Sequence, residues 1–315
     1  MLPALLAVTV PTFGLLGIGW LWRHLDPRSD GAVHALSRYA FVVALPALIF
    51  TSVFRLHGTG PGLARADAMY LLALVAGHIA VGIIAFTLRP LSRRTDVRAL
   101  APTLLMFGST AYFGIPYATY AFGAEGTGLA AIGAVALVIV ALAVGLGTLT
   151  LHASRKQRTA SWHQLFELPF LWVVLLALGL PTVGVAMLPV PLMNALDAVA
   201  ASAAPVALIA LGAFARDLSL TRVPWRWAVP LGIGKVLLPA GASYIALSLL
   251  GISGVPLAVG TALGATPLAI TAFTLAEEYG VGRELVTGTM AVSLITTLFA
   301  LTAITALWLG TGVFG

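Results

Sequence analysis

Long apolar runs, each about 20 residues and separated by connections too short to form a domain, constrain this chain more than any other feature. A run of that length matches the ~30 Å hydrocarbon core of a bilayer when wound as a helix. Only 9% of the 315 residues are charged and 60% are hydrophobic, and the mean hydropathy is +1.02. A soluble domain carries roughly 25% charged residues, so this composition cannot cover a water-facing surface. The expected fold class is an all-α membrane protein of ten transmembrane helices. The spans read Leu2–Trp22, Ala32–Phe54, Asp67–Leu88, Ala99–Phe122, Thr127–Leu151, Leu168–Ala186, Ala195–Ala215, Trp225–Leu249, Val255–Tyr279 and Leu285–Leu309. The first run has no basic residues before it and is expected to stay as a retained helix.

The formal charge of +6 could suggest a nucleic-acid partner, but its distribution argues for topology instead. Fourteen basic residues, among them Arg23, Arg28, Arg38, Arg89, Arg93, Arg94, Arg98, Arg155, Lys156, Arg158, Arg216, Arg222, Arg226 and Arg283, fall on the odd-numbered connections or the helix ends beside them. The opposite side carries Arg55 and Arg65. Basic loops remain cytoplasmic, so both termini are expected outside, with a bacterial inner membrane as the location and lipid as the surrounding partner. There is no cysteine, which excludes disulfides and thiolate-ligated metals. No metal-ligand spacing, P-loop, H-E-x-x-H or G-x-S-x-G is present, so no cofactor, metal or enzymatic activity is expected.

The chain reads as one membrane unit, 1–315, made of two five-helix halves, 1–151 and 152–315, with the second inverted relative to the first. Pro46 in A-L-P-A-L-I and Pro205 in A-P-V-A-L-I hold matching places in spans 2 and 7. Two spans later each half has a Gly/Pro interruption: Gly108-Ser109-Thr110 with Gly114-Ile115-Pro116 in span 4, and Gly264-Ala265-Thr266-Pro267 in span 9. Each interruption begins nine residues into its span, about 14 Å deep at 1.5 Å per residue, so the two would meet near mid-membrane from opposite faces. Discontinuous helices in corresponding positions are the pattern of a solute site. Pro116 and Pro267 are expected to open the second half-helices, whose N-termini each carry about half a positive charge and favour an anion.

The substrate-binding candidates are therefore Gly108, Ser109, Thr110, Tyr112, Gly114, Pro116, Gly264, Thr266, Pro267 and Thr271. Lys235 in span 8 and His78 in span 3 are charge or coupling candidates, because an ionisable group at that depth costs at least ~3 kcal/mol unless paired or hydrated. Tyr117 belongs to the same neighbourhood, while Glu125, Glu277 and Glu278 sit at the distal ends of the broken spans.

Taken together, these residues resemble the auxin efflux carrier family, the bacterial permeases related to the plant PIN-formed carriers. The resemblance covers essentially the whole chain: Pro11-Thr12-Phe13 with Gly17, Ala44–Phe50, the span 4 glycines with Pro116, Ala204–Gly212, Lys235 with Pro239, and Ala265–Gly280. It implies a five-plus-five inverted repeat in which helices 1, 2, 6 and 7 form a scaffold and the other six a transport unit. It also implies elevator-like alternating access and a small organic anion, such as a carboxylate, as substrate. The scaffold helices are the candidate homodimer surface. Family members often carry Asn where this chain has Ser109, and another where it has Ile270 followed by Thr271, so the substrate itself does not transfer. The sequence thus points to a uniporter or proton-coupled carrier. The alternatives are a sodium-coupled symporter of the bile-acid type and a non-transporting membrane sensor.

Overall fold

A computed structural model describes residues 2–57, 65–88, 92–150 and 168–310. The loop residues Arg89, Arg155, Lys156 and Arg158, the 151/152 boundary between the two halves and the side chain of Glu278 lie outside the described set. Among the described residues the secondary structure is helical, with one isolated β-bridge.

In chain order the helices are α1 (Leu2–Leu25), α2 (Asp30–Tyr39), α3 (Leu45–His57), α4 (Arg65–Leu88), α5 (Thr95–Met106) and α6 (Ile115–Thr150). They continue as α7 (Pro169–Thr182), α8 (Val190–Ala201), α9 (Ala203–Arg216), α10 (Trp225–Leu249), α11 (Gly254–Gly264), α12 (Ile270–Glu278) and α13 (Arg283–Gly310). Among the described residues seven helical stretches are long and apolar enough to cross a membrane, and α7 and α11 are shorter apolar helices. Large side chains such as Ile83, Trp172, Leu176 and Phe299 face outward. Apolar surface of that extent would be an aggregation liability in water and is ordinary against lipid. This is a multi-pass helical membrane protein.

Proline shapes the helices that depart from the simple spans. α2 and α3 are joined by a π-helical turn, Ala40–Ala44, which closes with the Leu45 N–H donating to the Ala40 carbonyl. A second π-turn, Thr110–Gly114, precedes α6 and closes with the Ile115 N–H donating to the Thr110 carbonyl. Each turn ends two residues before a proline, Pro46 or Pro116. A proline ring clashes with the carbonyl four residues back, and widening the preceding turn moves that carbonyl aside. In span 7 α8 ends at Ala201 and α9 resumes at Ala203, with Ser202 between them still in right-handed helical conformation at φ -78 and ψ -17. The helix expected to begin at Thr127 starts just past Gly123, a non-helical residue at φ 61 that α6 runs through.

Packing sorts the helices into neighbours. α1 lies along α9, while α3 packs on α7 and α8. α10 touches α4, α5, α11 and α13. The α1/α9 contact is backbone to backbone: a β-carbon on Gly19 would lie 2.0 Å from the Ile209 carbonyl oxygen. Small residues permit such approach between membrane helices, where dispersion and not water exclusion holds the pair. At one end the Arg23 guanidinium ties α1 to Asp217 after α9, with Nε donating to both carboxylate oxygens at 2.9 and 2.8 Å, and it also bonds Asp30 of α2. Arg55 of α3 pairs with Asp197 of α8.

Candidate functional site

The helix breaks at Gly108 and at Ala265–Ala269 cross each other and are hydrogen-bonded together. The Ser109 N–H donates to the Pro267 carbonyl at 2.8 Å, and the Ala269 N–H donates to the Phe107 carbonyl at 3.0 Å. They form an antiparallel bridge between Gly108 and Leu268. Unwound backbone away from water needs partners for its N–H and C=O groups, and here each break supplies one donor and one acceptor to the other. Gly108 permits the approach, since a β-carbon there would fall 2.5 Å from the Thr266 hydroxyl oxygen.

Side chains secure the second break. The Leu268 N–H donates to the Ser293 hydroxyl at 2.9 Å, and that hydroxyl donates to the Met290 carbonyl at 2.8 Å. The Thr297 hydroxyl donates to the Ala265 carbonyl at 3.0 Å and the Thr266 hydroxyl to the Leu263 carbonyl at 2.8 Å. Lys235, fully buried on α10, donates from Nζ to the Thr266 carbonyl at 3.1 Å.

The second half-helices start elsewhere than the prolines suggested. Helical structure after the first break opens at Thr110, with Ser109 as its N-cap, and Pro116 falls a turn later inside α6. After the second break it opens at Ile270, and Pro267 stays in the extended crossing. The bridge explains both shifts, because it pairs Gly108 with Leu268 out of helix, with Phe107 and Ala269 beside it extended, and releases the chain into helix just beyond.

A cavity of about 60 Å³ lies at this point, roughly four times what one water requires. Gly108, Ser109, Thr110, Tyr112 and Thr271 line it, as do Phe107, Ala269 and Ile270 from the crossing and Phe41 and Phe170 from α2–α3 and α7. Both new helix starts, at Thr110 and Ile270, are therefore on its wall. Their first N–H groups have no partner within their own helices. The Thr110 hydroxyl oxygen is buried without a hydrogen-bond partner, and the Tyr112 hydroxyl donates to the Ser37 carbonyl at 2.8 Å.

Gly114, Pro116, Gly264, Thr266 and Pro267 are not on the cavity wall. Gly114 packs against Leu263 and Thr266, and Gly264 against the backbone of Pro239 and Ala240. The Tyr117 hydroxyl meets that of Thr305 at 2.6 Å. His78 is buried on α4 with Nδ1 3.2 Å from the Leu74 carbonyl, and it lies within electrostatic reach of Lys235. Sequence reasoning missed the aromatic wall from Phe41 and Phe170, for which no local signal exists. It also missed Ser293 and Thr297, for which one does: Thr289, Ser293 and Thr297 recur every four residues along one face of α13.

The two half-helices differ in what their far ends face. Along α12 the polar residues Thr271, Thr274 and Glu277 are exposed while Ala272, Leu275 and Ala276 are buried. Along the start of α6, Ile115, Pro116, Tyr117 and Ala118 are all buried. Outside the spans, Asp96 at the start of α5 accepts from the Arg94 guanidinium at 3.0 and 2.8 Å, which holds its carboxyl below the usual range.

These features define a polyhelical membrane protein with a small, partly polar cavity between two interrupted helices. No family model matches the chain. Along its length it is similar to the protein named "Putative malonate transporter" of Rhizobium meliloti (strain 1021), with 29% identity over 324 residues, 95% of this chain and 93% of that protein.

Proposed function

We propose that this protein is a secondary transporter that moves a small organic anion, with short carboxylates such as malonate as the first candidates. One observation carries the reading: two helix N-termini and the unpartnered, buried hydroxyl of Thr110 share one cavity. Helix starts offer N–H donors and partial positive charge to an anion. A hydroxyl buried without a partner costs about 1–3 kcal/mol, and a ligand oxygen would relieve that cost. The similarity to the malonate transporter of Rhizobium meliloti supports the same substrate class. Ser109, Thr110 and Thr271 are the proposed contacts, with Gly108 admitting the close approach and Tyr112 shaping the wall.

In this reading the ten spans form the five-plus-five inverted repeat of the auxin efflux carrier family. Helices α1, α2–α3, α7 and α8–α9 are the scaffold, and the helices around α10 are the part that moves. The packing of α1 on α9 and of α3 on α7 and α8 supports this division, as does the clustering of α4, α5, α11 and α13 on α10. Uptake of labelled mono- and dicarboxylates into liposomes holding the purified protein tests the assignment, and transport of none of them would overturn it.

Thr110→Val separates binding from structure. The two side chains have nearly the same shape, so removing an unpartnered hydroxyl is expected to leave the melting temperature equal or higher. Losing one hydrogen bond to a charged ligand, worth about 1.5–3 kcal/mol, is expected to raise KM for uptake about tenfold or more. An unchanged KM would remove Thr110 from the site.

The exposed polar face of α12 is read as the wall of a water-filled route to the cytoplasmic side, with Glu277, paired with Arg283, at its end. The chain has no cysteine, so single replacements report without background. Thr271→Cys and Thr274→Cys are expected to react with a membrane-impermeant maleimide added from the cytoplasmic side, and Ala118→Cys to stay unlabelled. Labelling of Ala118→Cys with neither threonine site reacting would reverse the assigned orientation.

A further inference from the structure

Five carbonyl groups at the crossing, at and just past the ends of α5 and α11, are engaged by the chain itself. The Phe107 carbonyl takes the Ala269 N–H, the Pro267 carbonyl the Ser109 N–H, and the Ala265 carbonyl the Thr297 hydroxyl. The Leu263 carbonyl takes the Thr266 hydroxyl. The Thr266 carbonyl, just past the end of α11, receives Lys235 Nζ at 3.1 Å. Lys235 is wholly buried, and among the described residues no carboxylate lies within ion-pair distance of it. Nor do the described residues contain a cluster of three His, Asp or Glu that could hold a metal ion. A buried amine with a helix-end carbonyl as its partner interacts with the partial negative charge that gathers there. A free hard cation would need several unengaged oxygens at the same place.

We propose that Lys235 is the resident counter-cation of the crossing: its ammonium holds the carbonyl end of α11 where a cation-coupled carrier would have to bind a free ion. In this role Lys235 positions the break at Thr266 and, through the Gly108–Leu268 bridge, the two helix starts that face the cavity. It does not itself touch the substrate. The inference rests on the transport reading for its flux measurement and stands apart from it for its stability measurement.

The stability test compares purified wild type, Lys235→Ala and Lys235→Met by thermal unfolding in choline, sodium and methylammonium chloride at matched ionic strength. Wild type is expected to melt at the same temperature in all three salts. Lys235→Ala is expected to melt lower in choline and to be shifted back upward by methylammonium, which restores a small ammonium to the vacated space. Lys235→Met fills the volume without the charge and is expected to stay low in every salt. A wild-type melting temperature raised by sodium would overturn the proposal, as would a Lys235→Met protein as stable as wild type. If neither variant folds, the wild-type comparison still decides.

The flux test measures anion uptake by wild-type proteoliposomes in sodium and in choline. Equal rates are expected, along with at least a tenfold loss in folded Lys235→Met. Sodium-stimulated uptake would sink the resident-cation role and leave the transporter assignment standing. Absence of uptake for every anion would sink the transporter assignment and leave the melting comparison to judge Lys235.

Discussion

Gly264→Ala is expected to lower uptake about a hundredfold and to destabilise the protein by about 1–3 kcal/mol, the usual range for a side chain forced into a filled space. A β-carbon at Gly264 would lie 2.5 Å from the Pro239 carbonyl oxygen and 2.6 Å from the Ala240 nitrogen and the Pro239 carbonyl carbon. These are backbone atoms, so no rotamer change can relieve the overlap, and α10 and α11 must move apart. Those two helices hold the two partners of the Lys235–Thr266 hydrogen bond, and α11 feeds directly into the extended residues that bridge to Gly108. Separation therefore acts on the crossing, where a shift of about 1 Å can cost on the order of a hundredfold in rate. Gly241→Ala on α10 is the matched control, because nothing lies within 4 Å of its added carbon. It is expected to be neutral or slightly stabilising, as alanine suits a helix interior better than glycine. Initial uptake rates and melting curves of both variants check the contrast. Equal behaviour would show that contact between α10 and α11 does not govern the site.

Gly19→Ala and Gly212→Ala are expected to be more severe still, losing about 3 kcal/mol or more each and most of the extractable folded protein. Added carbons would stand 2.0 Å from the Ile209 carbonyl oxygen and 1.9 Å from the Leu16 carbonyl oxygen respectively. The two glycines face each other's helix, so α1 and α9 touch through bare backbone from both sides. One methyl group at either position pries the helices apart along a contact that Arg23 and Asp217 hold closed at its end. Gly17→Ala, two residues away on α1 with nothing within 4 Å of the new carbon, is expected to leave yield and melting unchanged. Size-exclusion profiles and thermal melts in detergent measure the difference. A monodisperse, normally melting Gly19→Ala protein would show that α1 and α9 can slide apart without cost.

The membrane class, the approximate extent of the spans and the existence of two interruptions, at Gly108 and at Gly264, were determined by the chain alone. These features follow from local physics. A run of about 20 apolar residues must satisfy its backbone within itself in lipid, and glycine and proline weaken a helix wherever they fall. Thr110, Ser109 and Thr271 were legible as candidates because they flank those interruptions, and the structure places all three on the cavity wall. Tertiary structure decided where helix resumes. The second half-helices open at Thr110 and Ile270, not at Pro116 and Pro267, because each break is held extended by hydrogen bonds from a segment about 160 positions distant along the chain. Tertiary structure also brought Phe41 and Phe170 to the cavity and set Gly19 against Ile209, while Gly17 was left open. A glycine that permits a break and one that permits a contact look identical in the chain, and the difference lies in the backbone that another helix places 2 Å from the missing carbon.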